Sequence, residues 1–163
     1  YSSKNGLKIL AYDPYVKEIN DKEIDAKLSS LKEIYEKSDI ISIHLPLTDE
    51  TKNMVNEFSF SQMKNKPIII NTSRGGIVNE NYLFQALESK KIRAAGMDVF
   101  VSEPPEPNHP FFSLDNILLT PHNAALTLEC RERMSLEASQ NILYFLKNMS
   151  ALNEDNLVNK KFI

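Results

Sequence analysis

The sequence predicts an α/β fold in which a mostly parallel sheet carries helices on both faces. Short β-branched runs alternate along the chain with helical stretches, which is typical of a parallel sheet with crossover helices. The run 67–71 is almost wholly apolar, as expected for a strand that is covered on both faces. The length of 163 residues, with 42% hydrophobic and 25% charged residues, fits about one globular domain.

The strands are predicted from β-branched runs that end at turn-forming residues. The first of them ends at Asp13-Pro14, and two later ones end at Pro46 and Pro121. Strands are predicted at 7–12, 39–45, 67–71, 92–99 and 116–120. Polar residues that are able to bind a ligand or take part in catalysis follow several of these strands. In parallel sheets, ligands bind at the carboxyl ends of the strands.

The helices are predicted from apolar residues at helical spacing. Helices are expected at 29–37, within 48–64, at 79–90 and at 127–147. Thr127 is expected to cap the last and longest helix, whose apolar stripe comprises Met134, Ala138, Ile142 and Phe145. A proline-rich loop spans 103–110, and the polar tail 148–163 has no strong pattern.

Composition excludes several classes of partner and site. The net charge of -3 and the pI near 5.7 give no electrostatic support for binding nucleic acid or an anionic membrane. A single cysteine, Cys130, excludes an internal disulfide and a cysteine-rich metal site, and no metal is predicted. With no signal peptide in the sequence, this cysteine usage suggests a reducing, cytoplasmic compartment. Only four glycines occur, so neither common glycine-rich phosphate loop can be present.

The candidate binding residues each have an ordinary structural alternative. Asp13 follows a strand, where an acid can accept both hydroxyls of an adenosine ribose, or it is simply part of an Asp-Pro turn. Arg74 lies in the Thr72-Ser73-Arg74-Gly75-Gly76 connection, and its guanidinium suits a carboxylate in two-point geometry. Taken alone, a solvated surface arginine beside a Gly-Gly turn is the simpler interpretation.

The candidate acid–base residues also leave alternatives open. His122 follows the last strand, and a histidine is the usual proton donor near neutral pH, although a loop histidine bonded to backbone fits equally. Glu103 lies in the proline-rich loop and could hold such a histidine in its protonated form, with Glu106 as a rival. His44 and His109 are explained by their places at a strand end and in that loop.

An arginine, a carboxylate and a histidine at three successive strand ends suit the reduction of a 2-oxo acid. The substrate carboxylate needs a fixed cation, and the carbonyl oxygen needs a proton as hydride arrives. A cofactor must supply the hydride, because no side chain can. Metal catalysis and a serine-hydrolase elbow lack the residue patterns they require.

Five stretches together give a specific family resemblance. They are LKILAYDPY at 7–15, SDIISIHLPLTDETKNMVN at 38–56, INTSRGGIVNENYLFQAL at 70–87, AAGMDVFVSEPP at 94–105 and NILLTPHNAALTLE at 116–129. In order and spacing the chain resembles the D-isomer-specific 2-hydroxyacid dehydrogenases, a group that includes D-3-phosphoglycerate, glycerate/hydroxypyruvate and D-lactate dehydrogenases. The resemblance covers most of 7–130.

The resemblance implies a Rossmann-like fold, NAD as the cofactor and a small 2-oxo or 2-hydroxy acid as the substrate. Arg74 would bind the substrate, His122 would be the acid–base group, and Glu103 rather than Glu106 would be its partner. The implied cofactor-binding residues are Asp13, Pro46, Thr51, Thr72, Ser73, Arg74, Asp98, His122, Ala124 and Ala125. Where the family commonly has glycine after the histidine and the one residue that follows it, Ala124-Ala125 stands here.

The sequence departs from the family at its beginning, because it lacks the family's first strand and glycine-rich loop. We therefore expect a partial NAD-binding domain over 1–130, followed at 131–163 by a helix and tail that would pack on a substrate domain absent from this sequence. The parent would be a homodimer, and the chain alone would be weakly active or inactive. The alternatives are a non-catalytic, NAD-responsive scaffold like the corepressors of this fold, and a remnant without its own function. The resemblance leaves open which 2-hydroxy acid is used.

Overall fold

The computed structural model describes residues 6–19 and 26–147. Its strands are β1 (Ile9–Ala11), β2 (Ala26–Leu28), β3 (Ile40–Ile43), β4 (Ile68–Asn71), β5 (Ala94–Met97) and β6 (Ile117–Leu119). Its α-helices are α1 (Leu31–Lys37), α2 (Glu57–Gln62), α3 (Glu80–Glu88) and α4 (Leu128–Lys147). The predicted tail at 148–163 lies outside the described residues. No helix of the described ranges combines the length and the apolar character that crossing a bilayer requires.

All strand pairs are parallel, and they form two sheets. One sheet pairs β1 with β2, and the other has the order β3-β4-β5-β6. Every predicted strand is present but shorter than predicted. The α/β, Rossmann-like fold with a parallel sheet and flanking helices is thus confirmed. Since neighbouring parallel strands end at the same edge, the segments after β4, β5 and β6 begin side by side.

The core lies on one face of the four-stranded sheet. Side chains alternate along each strand, so Ile41, Ile69 and Ala95 face the same way and are buried. Helices α1, α2 and α3 bury Tyr35, Phe60, Leu83, Ala86 and Leu87 in the same hydrophobic cluster. Residues on the alternate positions are less covered, and Ile40 and Leu118 on the two edge strands are more than half exposed.

The predicted coverage of both faces of the apolar run 67–71 is therefore only partly correct for the described residues. Ile69 and Asn71 are fully buried, whereas Ile68 and Ile70 on the other face are only half-buried. The described helices of this part of the chain all contribute to one flanking layer. A second layer, and with it the three-layer arrangement, stays a prediction.

Two elements are absent from the sequence-based prediction. Strand β2 follows residues outside the described ranges and has only three residues, too few for a periodic signal. A 3₁₀ turn, Pro110–Ser113, begins at the last residue of the proline-rich loop, and the His109 side chain accepts from the Phe111 amide at its start. Proline fixes φ near the helical value, so it suits the first position of such a turn.

The chain divides into two compact units, Tyr1–His122 and Asn123–Ile163. In the second unit, the Thr127 hydroxyl accepts a hydrogen bond from the Cys130 amide, which confirms the predicted cap of α4. None of the 20 residues of α4 is buried, including the stripe of Met134, Ala138, Ile142 and Phe145. The boundary predicted between residues 130 and 131 stays a prediction.

Candidate functional site

The segments that follow β4, β5 and β6 carry Arg74, Glu103 and His122. Arg74 comes three residues after the end of β4, and His122 comes three residues after the end of β6. Glu103 lies between them in the chain, in the loop that follows β5. The register pairs Asn71 with Met97 and Met97 with Leu119, so these segments leave neighbouring strands at the same level.

The turn that presents Arg74 is organised by a buried asparagine. Asn71, the last residue of β4, is fully buried, and its Oδ1 accepts from both the amide and the hydroxyl of Ser73, at 3.1 and 2.8 Å. Its Nδ2 donates to the Arg74 carbonyl oxygen at 3.0 Å. A buried amide with all of these bonds satisfied fixes the backbone of the turn. The Arg74 side chain itself is exposed.

The Arg74 guanidinium is available to an anion. Its Nη1 donates to the Ser73 carbonyl oxygen at 2.7 Å, which uses one of the five N–H donors of the group. Within 6–19 and 26–147, no carboxylate forms an ion pair with it. An unpaired, exposed guanidinium can bind a carboxylate through two parallel hydrogen bonds.

The Arg74 turn and the Glu103 loop are in direct contact through Gly75. A Cβ on Gly75 would overlap the Phe100 carbonyl oxygen, so only glycine allows this approach. Phe100 is also bonded to the acid, because its amide donates to Glu103 Oε1 at 3.0 Å. The turn after β4 and the loop after β5 therefore touch where Gly75 packs against the Phe100 carbonyl group.

Glu103 and His122 form a close pair. Glu103 Oε2 lies 2.8 Å from His122 Nδ1, with the two side chains 38% and 46% exposed. The hydrogen bond from His122, and then the one from the Phe100 amide, lower the pKa of Glu103 below its ordinary value. An ionised carboxylate can only accept, so Nδ1 carries the proton in this contact. The second ring nitrogen, Nε2, takes no part in this pair.

The backbone of His122 lies in an uncommon conformation. Its φ of 53° places a non-glycine residue in the left-handed region, which costs about 1–2 kcal/mol. Its amide donates to the Asp98 carbonyl oxygen at 2.8 Å, and the Glu103 contact holds its ring. Such outliers persist where the surrounding structure fixes them and are concentrated at functional sites.

Asp98 links β5 to the end of β6. The residue is buried, and its Oδ1 accepts from the Thr120 hydroxyl at 2.5 Å. Its amide donates to the Asn71 carbonyl oxygen at 3.0 Å. Asp98 therefore ties the end of β4 to the residues just before His122. A direct contact with the nicotinamide carboxamide, which the family resemblance implies, stays a prediction.

An open cavity of about 630 Å³ lies between the segments after β3 and β4. It is lined by His44, Leu45, Pro46, Leu47, Ser73 and Arg74. Thr51, in contrast, is used inside its own loop, because its hydroxyl donates to the Pro46 carbonyl oxygen at 2.6 Å and accepts from the Thr48 amide at 2.8 Å. Thr51 thus shapes the loop of which Pro46 lines the cavity.

The remaining predicted binding residues are exposed. Asp13 Oδ1 accepts from the Tyr15 amide at 2.8 Å, so it forms the local turn that its sequence suggested. Thr72 is exposed beside the Arg74 turn. Ala124 and Ala125 are exposed and belong to the second unit. The binding roles of these residues stay predictions.

Three residues of this region were missed by sequence reasoning. Asn71 looked like the end of an apolar strand, Glu80 like a helix residue and His109 like a loop residue. In the structure, Glu80 accepts from the Val101 amide at 2.8 Å, and His109 Nε2 lies 3.5 Å from Glu80. These contacts join residues more than 20 positions apart, for which a single sequence contains no signal. The described residues contain no group of three side chains suited to hold a metal ion.

The comparisons with known proteins agree on one family. Residues 2–124 match the sequence model described as "D-isomer specific 2-hydroxyacid dehydrogenase, NAD binding domain". The glyoxylate reductase of Aeropyrum pernix is 40% identical over 158 residues, which are 97% of this chain and 46% of that protein. The D-3-phosphoglycerate dehydrogenase of Archaeoglobus fulgidus is 36% identical, over 93% of this chain and 29% of that protein.

A solved structure is similar as well. The D-lactate dehydrogenase of Aquifex aeolicus, complexed with NAD and lactic acid, aligns with a TM-score of 0.78 and 34% identity over 89% of this chain. The alignment covers 48% of that structure. The chain thus spans about half the length, or less, of the relatives that it matches.

Proposed function

Because the chain belongs to the family of D-isomer specific 2-hydroxyacid dehydrogenases and matches the NAD-binding domain of that family, we propose that it interconverts a 2-oxo acid and a D-2-hydroxy acid. The observation that carries the proposal is the 2.8 Å contact between His122 Nδ1 and Glu103 Oε2, beside the Arg74 turn. A fixed histidine, its carboxylate and a free guanidinium are the groups that this reduction requires.

Arg74 binds the substrate in this proposal. Its exposed guanidinium lines the cavity after β3 and β4, where it can hold the carboxylate of a 2-oxo acid in two-point geometry. Two hydrogen bonds fix the orientation of the acid, so that its carbonyl group is presented in one direction. Positioning of this kind supplies a large part of many rate enhancements.

His122 moves the proton. With Nδ1 bound to Glu103, the protonated ring directs Nε2–H to the carbonyl oxygen of the substrate, which accepts the proton as the alcohol forms. The Glu103 carboxylate accepts from Nδ1–H and so fixes the orientation of the ring and, once the proton has been transferred, its tautomer. In the direction of oxidation, the same nitrogen accepts the proton of the 2-hydroxyl group.

The residues present fit the nicotinamide half of NAD. When bound, the cofactor supplies or accepts the hydride. The cavity of about 630 Å³ is of the size of small-molecule sites, and it lies at the carboxyl ends of parallel strands, where dinucleotides bind. Ser73 and Arg74 would line the nicotinamide half, Pro46 the adenosine side, and the exposed carboxylate of Asp13 would hold the adenosine ribose. A glycine-rich cradle for the pyrophosphate does not occur in the sequence.

An activity assay with several 2-oxo acids identifies the substrate. We would measure NADH oxidation by the complete gene product with glyoxylate, hydroxypyruvate, pyruvate and branched 2-oxo acids, because the similar proteins are named for different acids. Arg74→Ala is expected to raise the KM for every acid that is used, whereas the exposed Arg93→Ala serves as a matched control. Binding of NADH without reduction of any acid would instead support an NAD-responsive scaffold.

Three further expectations belong to the same proposal. We expect a homodimer, which sedimentation analysis tests, and a cytoplasmic location, which imaging of the tagged gene product tests.

We also expect the 163-residue polypeptide, assayed alone, to bind NADH weakly and to turn over little, since its sequence contains no glycine-rich phosphate loop. Tight NADH binding in a fluorescence titration of this polypeptide would contradict that expectation.

A further inference from the structure

The loop that carries Glu103 is held by a second carboxylate. Glu80, the first residue of α3, accepts a hydrogen bond from the Val101 amide through Oε1 at 2.8 Å. Its side chain is only 20% exposed, although Val101 at the donor end of the bond is itself exposed. Val101 lies two residues before Glu103, and the bond therefore anchors the loop directly beside the acid.

The orientation of Glu80 is fixed by the same loop. Its Oε2 lies 3.5 Å from His109 Nε2, and His109 Nδ1 accepts from the Phe111 amide at 3.3 Å. Because Nδ1 accepts, the proton of the neutral ring is on Nε2 and points to Glu80. The ring of His109 packs edge-on against Phe100 and Phe111, with ring centres 5.4 and 4.7 Å apart. His109 is thus a fixed donor and not a free loop histidine.

Two consecutive amides bind two different carboxylates. The Phe100 amide donates to Glu103 Oε1, and the next amide, of Val101, donates to Glu80 Oε1. The peptide between them is also confined on its carbonyl side, where Gly75 makes its close approach. A displacement of this peptide would also move the Phe100 amide that aligns Glu103, because the two neighbouring peptide units share the Phe100 Cα atom, and the other oxygen of Glu103 holds His122.

We propose that Glu80 is a positioning residue, which holds the Phe100–Val101 peptide so that Glu103 reaches His122. The inference deepens the proposed function and rests on it for its catalytic consequence. Glu80 does not touch the pair itself, since it acts through the backbone. The important property of Glu80 is therefore the reach of its acceptor oxygen, and its charge is secondary.

Two substitutions in the complete gene product separate reach from charge. Glu80→Asp keeps the charge but shortens the side chain by one methylene, so the acceptor no longer reaches the Val101 amide. Glu80→Gln keeps the reach and an acceptor oxygen but removes the charge. We expect kcat to fall about tenfold in Glu80→Asp with the KM for NADH unchanged, and to fall by less than about threefold in Glu80→Gln. Glu88→Asp, at the exposed other end of α3, is the matched control.

The opposite ranking would overturn the inference, as would wild-type kcat in both variants. Thermal unfolding of each variant shows that the kcat values refer to folded protein, and an acid at the first position of a helix is compatible with folding. An equal loss in both variants would mean that removing the charge is as harmful as shortening the side chain, and it would contradict a role that rests chiefly on reach.

A second measurement does not depend on turnover. The pKa of Glu103, which its bonds to His122 and Phe100 lower, can be followed from its ¹³C carboxyl resonance. We expect it to return toward the ordinary value in Glu80→Asp and to stay low in Glu80→Gln. If the wild-type protein reduces no 2-oxo acid but the titrations behave in this way, the proposed function fails and the positioning role stands. An unchanged titration in Glu80→Asp would overturn the positioning role in either case.

Discussion

Two edges of the molecule hold their candidate functional residues in different ways. The edge that carries the proposed catalytic residues, named the catalytic edge, comprises the segments after β4, β5 and β6, at 72–80, 98–113 and 120–122. The second set, named the Asp13 edge, comprises the segments after β1 and β3, at 12–15 and 44–51, which follow strands of two different sheets. At the catalytic edge, Glu103 bonds His122, Thr120 bonds Asp98, and Glu80 bonds Val101, each about 20 residues apart in sequence.

At the Asp13 edge, the side-chain bonds stay within a single turn. Asp13 bonds the amide two residues ahead, and the Thr51 hydroxyl bonds a carbonyl five residues behind. The catalytic edge is therefore fixed by the tertiary structure before a ligand arrives, which suits groups that must meet a transition state. Short local turns suffice for the other edge, where a carboxylate need only be available to a ligand.

The most severe test of the catalytic edge is the loss of its proton donor. His122→Ala is expected to lower kcat for 2-oxo acid reduction by roughly 10²- to 10⁴-fold, because no other group would donate to the carbonyl oxygen. Binding of NADH, measured by fluorescence titration, should weaken far less than kcat falls, because the substitution keeps the backbone of residue 122. Turnover close to that of the wild-type enzyme would refute the assignment of His122.

Removal of Asn71 tests whether buried bonds hold the Arg74 turn. Asn71→Ala leaves the Ser73 amide and hydroxyl and the Arg74 carbonyl without their partner, and it is expected to lower the free energy of unfolding by about 1–3 kcal/mol. The KM for the 2-oxo acid should rise as well. Chemical denaturation and steady-state kinetics measure the two effects.

Asn116→Ala is the matched control for that variant. Its amide also bonds backbone carbonyls, at Leu87 and Arg93, but it lies before β6 at the opposite edge of the sheet. We expect this variant to lose stability without a change in KM. A rise in KM equal to that of Asn71→Ala would mean that general loosening, and not the Arg74 turn, is the cause.

The Glu103–His122 contact predicts a pH dependence of stability with a definite sign. The pKa of Glu103 is lowered in the folded protein, chiefly by the His122 hydrogen bond. Its contribution is therefore present above the pKa of an unfolded glutamate and is lost as the pH falls through the lowered value. Glu103→Gln should be less stable than wild type at pH 6, and the difference should shrink on acidification.

Chemical denaturation of the two proteins across this pH range measures the difference. Glu106→Gln, which removes a carboxylate from the same loop and leaves the Glu103–His122 contact in place, is the control. Kinetics sharpen the comparison, because Glu103→Gln is expected to lower kcat about tenfold or more, whereas Glu106→Gln is not. A constant stability difference between wild type and Glu103→Gln at all pH values would contradict the coupling.

The smallest effect is expected at the Asp13 edge. Asp13→Asn keeps an oxygen for the Tyr15 amide, so stability should stay within about 0.5 kcal/mol. Loss of the negative charge should narrow the preference for NADH over NADPH by about tenfold, since a 2′-phosphate is no longer repelled. Asp115→Asn is the control. An unchanged ratio of kcat/KM for the two cofactors would exclude the ribose role of Asp13.

Local patterns were sufficient for most elements and for the choice of candidates. Strand β4 and helix α3 were found because their apolar residues repeat with the period of the structure that they form. Arg74, Glu103 and His122 could be singled out because polar residues after parallel strands share an edge. From the sequence, only the family resemblance favoured Glu103 over Glu106 as the partner of His122. In the structure, Glu103 is paired with His122.

The sequence by itself determined the parallel α/β architecture, the family, and which side chains end up at the carboxyl ends of the strands. These follow from periodicity and chain order, which are local properties. The tertiary structure alone decided that Asn71 organises the Arg74 turn, that Gly75 touches Phe100, and that Glu80 and His109 hold the loop of the acid. Such contacts depend on how separate segments leave neighbouring strands, and hydrogen bonds form only within about 3.5 Å, a precision that no residue pattern encodes.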